Sequence, residues 1–206
     1  MNDATIPESV YRILFAAAFL LNMTIVSRYR KKAQSGETFD LTKEPPWMRY
    51  GMRGTALVLL GYMLTYVVAP SMVEWSRVGL PAWLRLAGAL YPFLLMPGLL
   101  HWTQRSLGRN VSTTVIIRAD HELITSGPYR WVRHPLYVLG TLLYLSLSLI
   151  AASWVLMAGL VLGLILILLR TPKEEAMLAE HFGEAYRDYQ RRTGRFFPKF
   201  FQKRNA

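Results

Sequence analysis

From Pro135 to Leu169 the chain carries no charged residue. A single helix of that length, about 35 residues, would rise ~50 Å, while the hydrocarbon core of a bilayer is only about 30 Å thick. One crossing cannot absorb it. The run therefore has to fold back on itself, and the small residues Ala151-Ala152-Ser153 ahead of Trp154 mark the turn of a tight helical hairpin.

Three further apolar runs, near 10–27, 54–73 and 82–100, join the hairpin segments 135–153 and 154–169. Most approach the ~20 residues that span a bilayer as helix. The first follows a stretch with Asp3 and Glu8 and lacks the basic flank of a cleaved signal, so it reads as a retained span. The fold expected is all-α: an integral membrane domain with about five transmembrane helices, the last two a tight hairpin, plus a C-terminal amphipathic helix. The whole of 1–206 forms this single membrane domain. Within it, 1–101 is expected to hold spans one to three and a cytoplasmic loop, 102–198 a core made of a polar loop, the hairpin and the amphipathic helix, and 199–206 a basic tail.

The formal charge of +11 is distributed with the spans. Arg28, Arg30, Lys31, Lys32, Lys43 and Arg49 lie between the first two, and Arg105, Arg109, Arg118, Arg130 and Arg133 between the third and fourth. Only Arg77 falls between spans two and three before Arg85, and the hairpin turn has none. The positive-inside rule then places the N-terminus outside, and the 28–51 loop, the 101–134 loop and the C-terminal tail in the cytoplasm. Because the cations border apolar spans, the surplus reflects topology and anionic headgroups and excludes nucleic acid as a partner. Cysteine is absent, which removes disulfides, thiolate metal sites and a cysteine nucleophile.

The polar groups that could do chemistry gather at one membrane boundary. In Gly127-Pro128-Tyr129-Arg130-Trp131-Val132-Arg133-His134-Pro135-Leu136-Tyr137, Pro135 suits the first turn of a helix, where its missing N–H costs nothing, and it holds His134 at the helix entrance. His134 and Tyr137 are three apart and share a face. At the end of the last span Arg170-Thr171-Pro172 interrupts the apolar run, and Lys173-Glu174-Glu175 opens an amphipathic helix through His181, Tyr186 and Tyr189 to about Arg192. Arg170 and Glu174, four apart, share a face if helix continues through Pro172, with Glu175 rotated away. The hairpin returns His134 and Arg170 to the same membrane face. A membrane-edge guanidinium there could clamp a carboxylate or phosphate, or simply snorkel to the headgroups. Arg130 and Arg133 read first as positive-inside flanks.

Metal chemistry has no foothold: His101, His121, His134 and His181 occur singly, and no metal site is expected. No glycine-rich dinucleotide fingerprint, phosphate loop or nucleophile elbow is present. A short extended stretch is expected at Ser112–Ile117.

Two blocks in order, HELITSGPYRWVRHPLYVLG and RTPKEEAMLAEHFGEAYRDYQRRTGRFFP, separated by the hairpin, resemble the C-terminal core of the isoprenylcysteine carboxyl methyltransferases and related phospholipid methyltransferases over about Leu107–Pro198. The resemblance implies a membrane pocket for S-adenosylmethionine. By it, His121, Glu122, Leu123, Ile124, Tyr129, His134, Pro135, Leu136, Tyr137 and Glu174 would bind the cofactor, and Arg170 would be the catalytic arginine that engages the substrate carboxylate. A polar cofactor contact of some relatives falls near Ile117, which is apolar. The acceptor implied is amphipathic or lipid-like, a carboxylate of an isoprenylcysteine-type substrate first, met among membrane lipids. A membrane sterol-type reductase using reduced nicotinamide, a phospholipid N-methyltransferase, and a small membrane scaffold or transporter are the alternatives. The reductases resemble the chain in the RHPxY-like block but carry an Arg-Asp pair and a Lys-Tyr-Gly-x-x-Trp segment where this chain has Pro172-Lys173-Glu174-Glu175 and His181-Phe182-Gly183-Glu184-Ala185-Tyr186.

Overall fold

The computed structural model describes residues 6–33, 46–107 and 123–199, all helix, turn and extended connection with no named strand among them. Six helices organise it: α1 (Glu8–Ala33), α2 (Pro46–Val68), α3 (Ala82–Leu107), α4 (Pro135–Ala151), α5 (Trp154–Phe182) and α6 (Glu184–Arg192). Four stretches, Glu8–Tyr29, Tyr50–Val68, Ala82–Leu107 and Trp154–Phe182, are long and apolar enough to cross a membrane, and α4 is a fifth apolar helix of 17 residues. The chain is a multi-pass membrane protein. Ser112–Ile117 lies outside the described residues.

α4 is the central post. It packs against α1, α3 and α5, and its Leu139, Leu143, Leu147 and Ile150 are buried in the core with Phe15, Met96, Leu100 and Leu156. Two glycines permit the closest helix approaches. A Cβ on Gly88 would meet Leu149 Cβ at 3.0 Å and the Ser146 carbonyl at 3.1 Å, and one on Gly159 would meet Leu59 Cδ2 at 2.7 Å. Small residues at helix crossings let backbones approach where lipid supplies no hydrophobic drive.

The hairpin turns where its small residues predict. Ala152 closes α4 in the left-handed region (φ 48°, ψ 47°), and Ser153 caps α5 by accepting the Leu156 N–H at 3.4 Å. A 3-10 segment, Pro70–Ser76, seals this turn: Val78 N–H donates to the Ala152 carbonyl at 2.8 Å, and Tyr62 Oη reaches Ser153 Oγ at 2.6 Å and Ser76 Oγ. At the same end Arg85, buried, donates to both Glu8 carboxylate oxygens at 2.9 Å and to the Ile150 carbonyl at 2.7 and 2.9 Å, with its guanidinium 3.5 Å over the Tyr11 ring. Tyr66 Oη donates to Glu8 Oε1 at 2.8 Å and Arg77 lies 3.2 Å away. One carboxylate thus ties the starts of α1 and α3 to the ends of α2 and α4.

α3 contains a π turn at Tyr91–Leu95, where Met96 N–H bonds the Tyr91 carbonyl. The next donor in that pattern would be residue 97, a proline with no N–H, so the Pro92 carbonyl has no partner inside the helix. Asn22, fully buried on α1, supplies it: Nδ2 donates to Pro92 O at 3.1 Å and to Ala18 O at 2.9 Å.

The sequence reading places two helix ends differently. Arg170-Thr171-Pro172 interrupts the apolar run but not the helix, and α5 runs through Pro172 to Phe182. This meets the condition for Arg170 and Glu174 to share a face and leaves Lys173 inside α5 instead of opening a new helix, with Arg170, Thr171 and Glu175 buried. The amphipathic helix expected from Lys173 to Arg192 is instead divided at Gly183 (φ 58°), where the chain turns into α6. That turn allows α6 to fold back beside the start of α4.

Candidate functional site at the mouth of the hairpin

The block that enters α4 begins as a 3-10 turn, Gly127–Arg130, with Gly127 at φ 59° against Ser106 and Trp102. Tyr129 is buried there, and its carbonyl accepts from Tyr189 Oη of α6 at 2.6 Å. Burial pushes both phenols well above their ordinary range, so each is a neutral hydroxyl. His134 is the N-cap of α4 (φ −122°) and Pro135 its first residue. An apolar cleft of about 100 Å³ opens beside the turn, lined by Leu99, Trp102, Pro128, Pro135, Val138 and Phe196 among others.

The chain after α6 then lies against this block as a short parallel ladder. Arg133 N–H donates to the Gly194 carbonyl at 2.8 Å, His134 N–H to the Arg195 carbonyl at 3.1 Å, and Gly194 N–H to the Trp131 carbonyl at 3.2 Å. A side chain at 194 would run into the Phe197 carbonyl oxygen. Only glycine fits so close a return.

Around the ladder four polar side chains converge on one carboxylate. Glu175, 4% exposed, receives Arg133 Nε at 2.9 Å and His134 Nε2 at 3.2 Å on Oε1. Oε2 receives Arg195 NH2 at 2.6 Å, its Nε at 3.1 Å and Gln190 Nε2 at 3.5 Å. Arg133 also donates to the carbonyls of Gln190 and Thr193. An ionised carboxylate only accepts, so His134 carries its proton on Nε2. The bond to Glu175 raises the Arg195 guanidinium further above its already high value.

One turn across, Tyr137 Oη donates to Glu174 Oε2 at 2.7 Å, and the His134 and Tyr137 rings stack with centroids 5.4 Å apart at 13°. Arg170, one turn before Glu174 on α5, is buried with NH1 3.8 Å from Met52 Sδ of α2. The hairpin thus brings His134 and Tyr137 of α4 beside Glu174 and Glu175 of α5, with Arg170 one turn deeper. Pro135 and Tyr129 lie in the same cluster, and Leu136 sits half-buried on α4. Leu123 and Ile124 are half-buried in the strand of chain leading to the turn, while His121 and Glu122 fall outside the described residues.

Glu175, Arg133, Gln190 and Arg195 escaped the sequence reading. Glu175 does rotate away from Arg170, as its spacing requires, but that rotation points it at His134. The signal was available in Thr171 and Glu175, four apart, which share the packed face of α5. Arg133 is buried in an ion pair with Glu175, its side chain 8% exposed, rather than flanking the membrane in solvent.

The comparisons with known proteins fall on this region. Residues 89–180 match the model of the isoprenylcysteine carboxyl methyltransferase (ICMT) family. The chain is 38% identical over 112 residues, 52% of its own length, to the cobalt-zinc-cadmium resistance protein CzcN of Cupriavidus metallidurans. It is 31% identical over 153 residues, 66% of its length, to the protein-S-isoprenylcysteine O-methyltransferase of Rattus norvegicus. It spans about half the length of each, 50% and 51%. In three dimensions it resembles the eukaryotic intramembrane Ras methyltransferase ICMT, with TM-score 0.58 and 21% identity, covering 95% of this chain and 69% of that one. The part of the chain that matches the isoprenylcysteine carboxyl methyltransferase family model, residues 89–180, holds the turn, the hairpin and the Arg170–Glu175 stretch.

Proposed function

We propose that the chain is a membrane methyltransferase that moves a methyl group from S-adenosylmethionine to a carboxylate of an amphipathic, isoprenylcysteine-type acceptor at the cytoplasmic face, with its catalytic core in 102–198. One observation carries this reading: the hairpin stations a stacked His134–Tyr137 pair and a Tyr137–Glu174 hydrogen bond one turn from the buried Arg170, within the segment shared with the family.

The donor set suits the cofactor's chemistry. S-adenosylmethionine is a cation at sulfur and at its amino group and an anion at its carboxylate, and the site offers aromatic faces, an acidic Glu174 and nearby guanidinium groups. When bound, it supplies a methyl group already activated by positive sulfur, which a carboxylate accepts without a base. What remains for the protein is alignment and exclusion of water. Tyr129, Pro135, Leu136, Leu123 and Ile124 form apolar wall, His134, Tyr137 and Glu174 fix the donor, and Arg170 orients the acceptor carboxylate through the planar fork of its guanidinium. His121 and Glu122 belong to the same proposed set by family resemblance.

Labelled S-adenosylmethionine binding to the detergent-purified protein tests the reading, with reduced nicotinamide nucleotide as competitor. Binding that the nicotinamide displaces would replace it with a reductase. Arg170→Lys sharpens the acceptor assignment: charge is kept and the fork is lost, so methyl transfer falls ten-fold or more, about 1.4 kcal/mol, while cofactor affinity holds. A lysine variant turning over at the wild-type rate removes the carboxylate from the proposal.

The same reading fixes orientation. Glu8, the 70–81 connection and the hairpin turn lie at one end, and the 127–134 turn with α6 at the other. Charge bias assigns the second end to the cytoplasm. A cysteine at Gly79, where a side chain meets nothing within 4 Å, is expected to react with a membrane-impermeant thiol reagent on intact cells, and one at Arg187 to be spared. The reverse labelling inverts the topology.

A further inference from the structure

We infer that Arg195 is a positioning residue, the movable latch of a carboxylate cage that sets His134 at the mouth of α4; this rests on the methyltransferase reading for its consequence and on geometry for its existence. Arg195 lies beyond residues 89–180, in the chain that follows α6. It acts on His134 once directly and once through Glu175. Its carbonyl accepts the His134 N–H at 3.1 Å, and its guanidinium occupies Glu175 Oε2 while His134 Nε2 occupies Oε1. Phe196 follows with its ring 5.9 Å from the imidazole, and Gly194 precedes with the two ladder bonds to 131 and 133.

The members of the cage are not equally held. Arg133 is buried and bonds two carbonyls besides Glu175, so it is fixed by the fold. Arg195 has a side chain 43% exposed, and its guanidinium donates to Glu175 Oε2 through Nε and NH2. It is the arginine that can leave. With it in place, both carboxylate oxygens are committed, Glu175 cannot rotate, and His134 keeps the Nε2–H tautomer with Nδ1 as the acceptor facing away from the cage. Without it, Oε2 keeps only the long Gln190 bond, the carboxylate pivots about the Oε1 that Arg133 holds, and the acceptor that faces the imidazole loses its fixed direction. Because His134 stacks on Tyr137, and Tyr137 holds Glu174, the disorder reaches the proposed cofactor contacts. Gln190, Tyr186 and Arg133 are the other groups that face the carboxylate from α6 and the turn.

The test uses the full-length protein in detergent with ¹⁵N-labelled histidine. In the wild type the His134 resonances are expected to report one tautomer, protonated at Nε2; in Arg195→Ala they should report a mixture, with Arg195→Lys between the two. Affinity for S-adenosylhomocysteine should fall at least five-fold in Arg195→Ala and recover in part in Arg195→Lys, while the thermal midpoint stays close to wild type because the side chain is half in solvent. A residue that merely supports the fold would shift the midpoint and leave the tautomer alone. An unchanged tautomer with affinity within two-fold of wild type overturns the latch. Should the wild type bind no S-adenosylhomocysteine, the methyltransferase reading fails by itself, and the tautomer measurement still decides whether Arg195 positions His134.

Discussion

Replacing Glu175 with leucine is expected to cost about 3–5 kcal/mol of stability, the largest loss from any single substitution near the site, because it leaves Arg133 as an uncompensated buried cation. Arg195 can swing to water, but Arg133, with an 8% exposed side chain, cannot. The neighbouring Glu174→Leu is the control. It removes one hydrogen bond from Tyr137 and should cost about 1 kcal/mol. Denaturant or thermal unfolding of the two variants, side by side in the same detergent, reads the difference directly. Equal losses would mean that Glu175 is no more central to the fold than its neighbour.

At the opposite end, Arg85→Leu is expected to destabilise by about 3 kcal/mol while leaving cofactor affinity of the folded fraction unchanged. Its guanidinium satisfies the Ile150 carbonyl near the C-terminus of α4, both oxygens of Glu8, and the face of Tyr11. The loss is smaller than at Glu175 because Glu8 keeps Tyr66 and Arg77 and has some access to solvent. Unfolding measurements check the first half of the expectation, and labelled-cofactor binding the second. A variant as stable as wild type would demote the cluster to a surface ion pair, and lost affinity at full stability would mean that the two ends of α4 are coupled.

The hairpin and its turn were legible in the sequence because length alone forbids a single crossing, and the site's address followed from them. His134, Tyr137, Arg170 and Glu174 come together for that reason. The cage around Glu175 was not legible for two physical reasons. Its second half arrives through Gly183 and Gly194, whose roles depend on a positive φ in one case and a close backbone return in the other, and neither is written in hydropathy. Arg133 has the same sequence appearance whether it flanks a headgroup layer or fills a buried pair. Pro172 left two courses open in the sequence, a continued helix or a new one from Lys173, and α5 takes the first. Arg85 and Glu8, read as topology signals, turn out to be partners because α1 and α3 start side by side.

The π turn in α3 sets a constraint of another kind on this chain. An additional residue in a helical turn rotates everything beyond it by about 100°. Gly88, before the turn, lies against Ser146 and Leu149 of α4; Trp102 and Thr103, after it, line the cleft beside Pro128, and the Trp102 ring packs edge-on against Trp131. One helix thereby keeps two unrelated appointments. Over evolutionary time the exposed side chains of Leu94 and Leu95 can drift, but the number of residues between Tyr91 and Leu95 cannot. Loss of one residue there would straighten α3 and swing its second half away from the turn that leads to His134, so descendants of this chain should vary in letters at this segment and not in length.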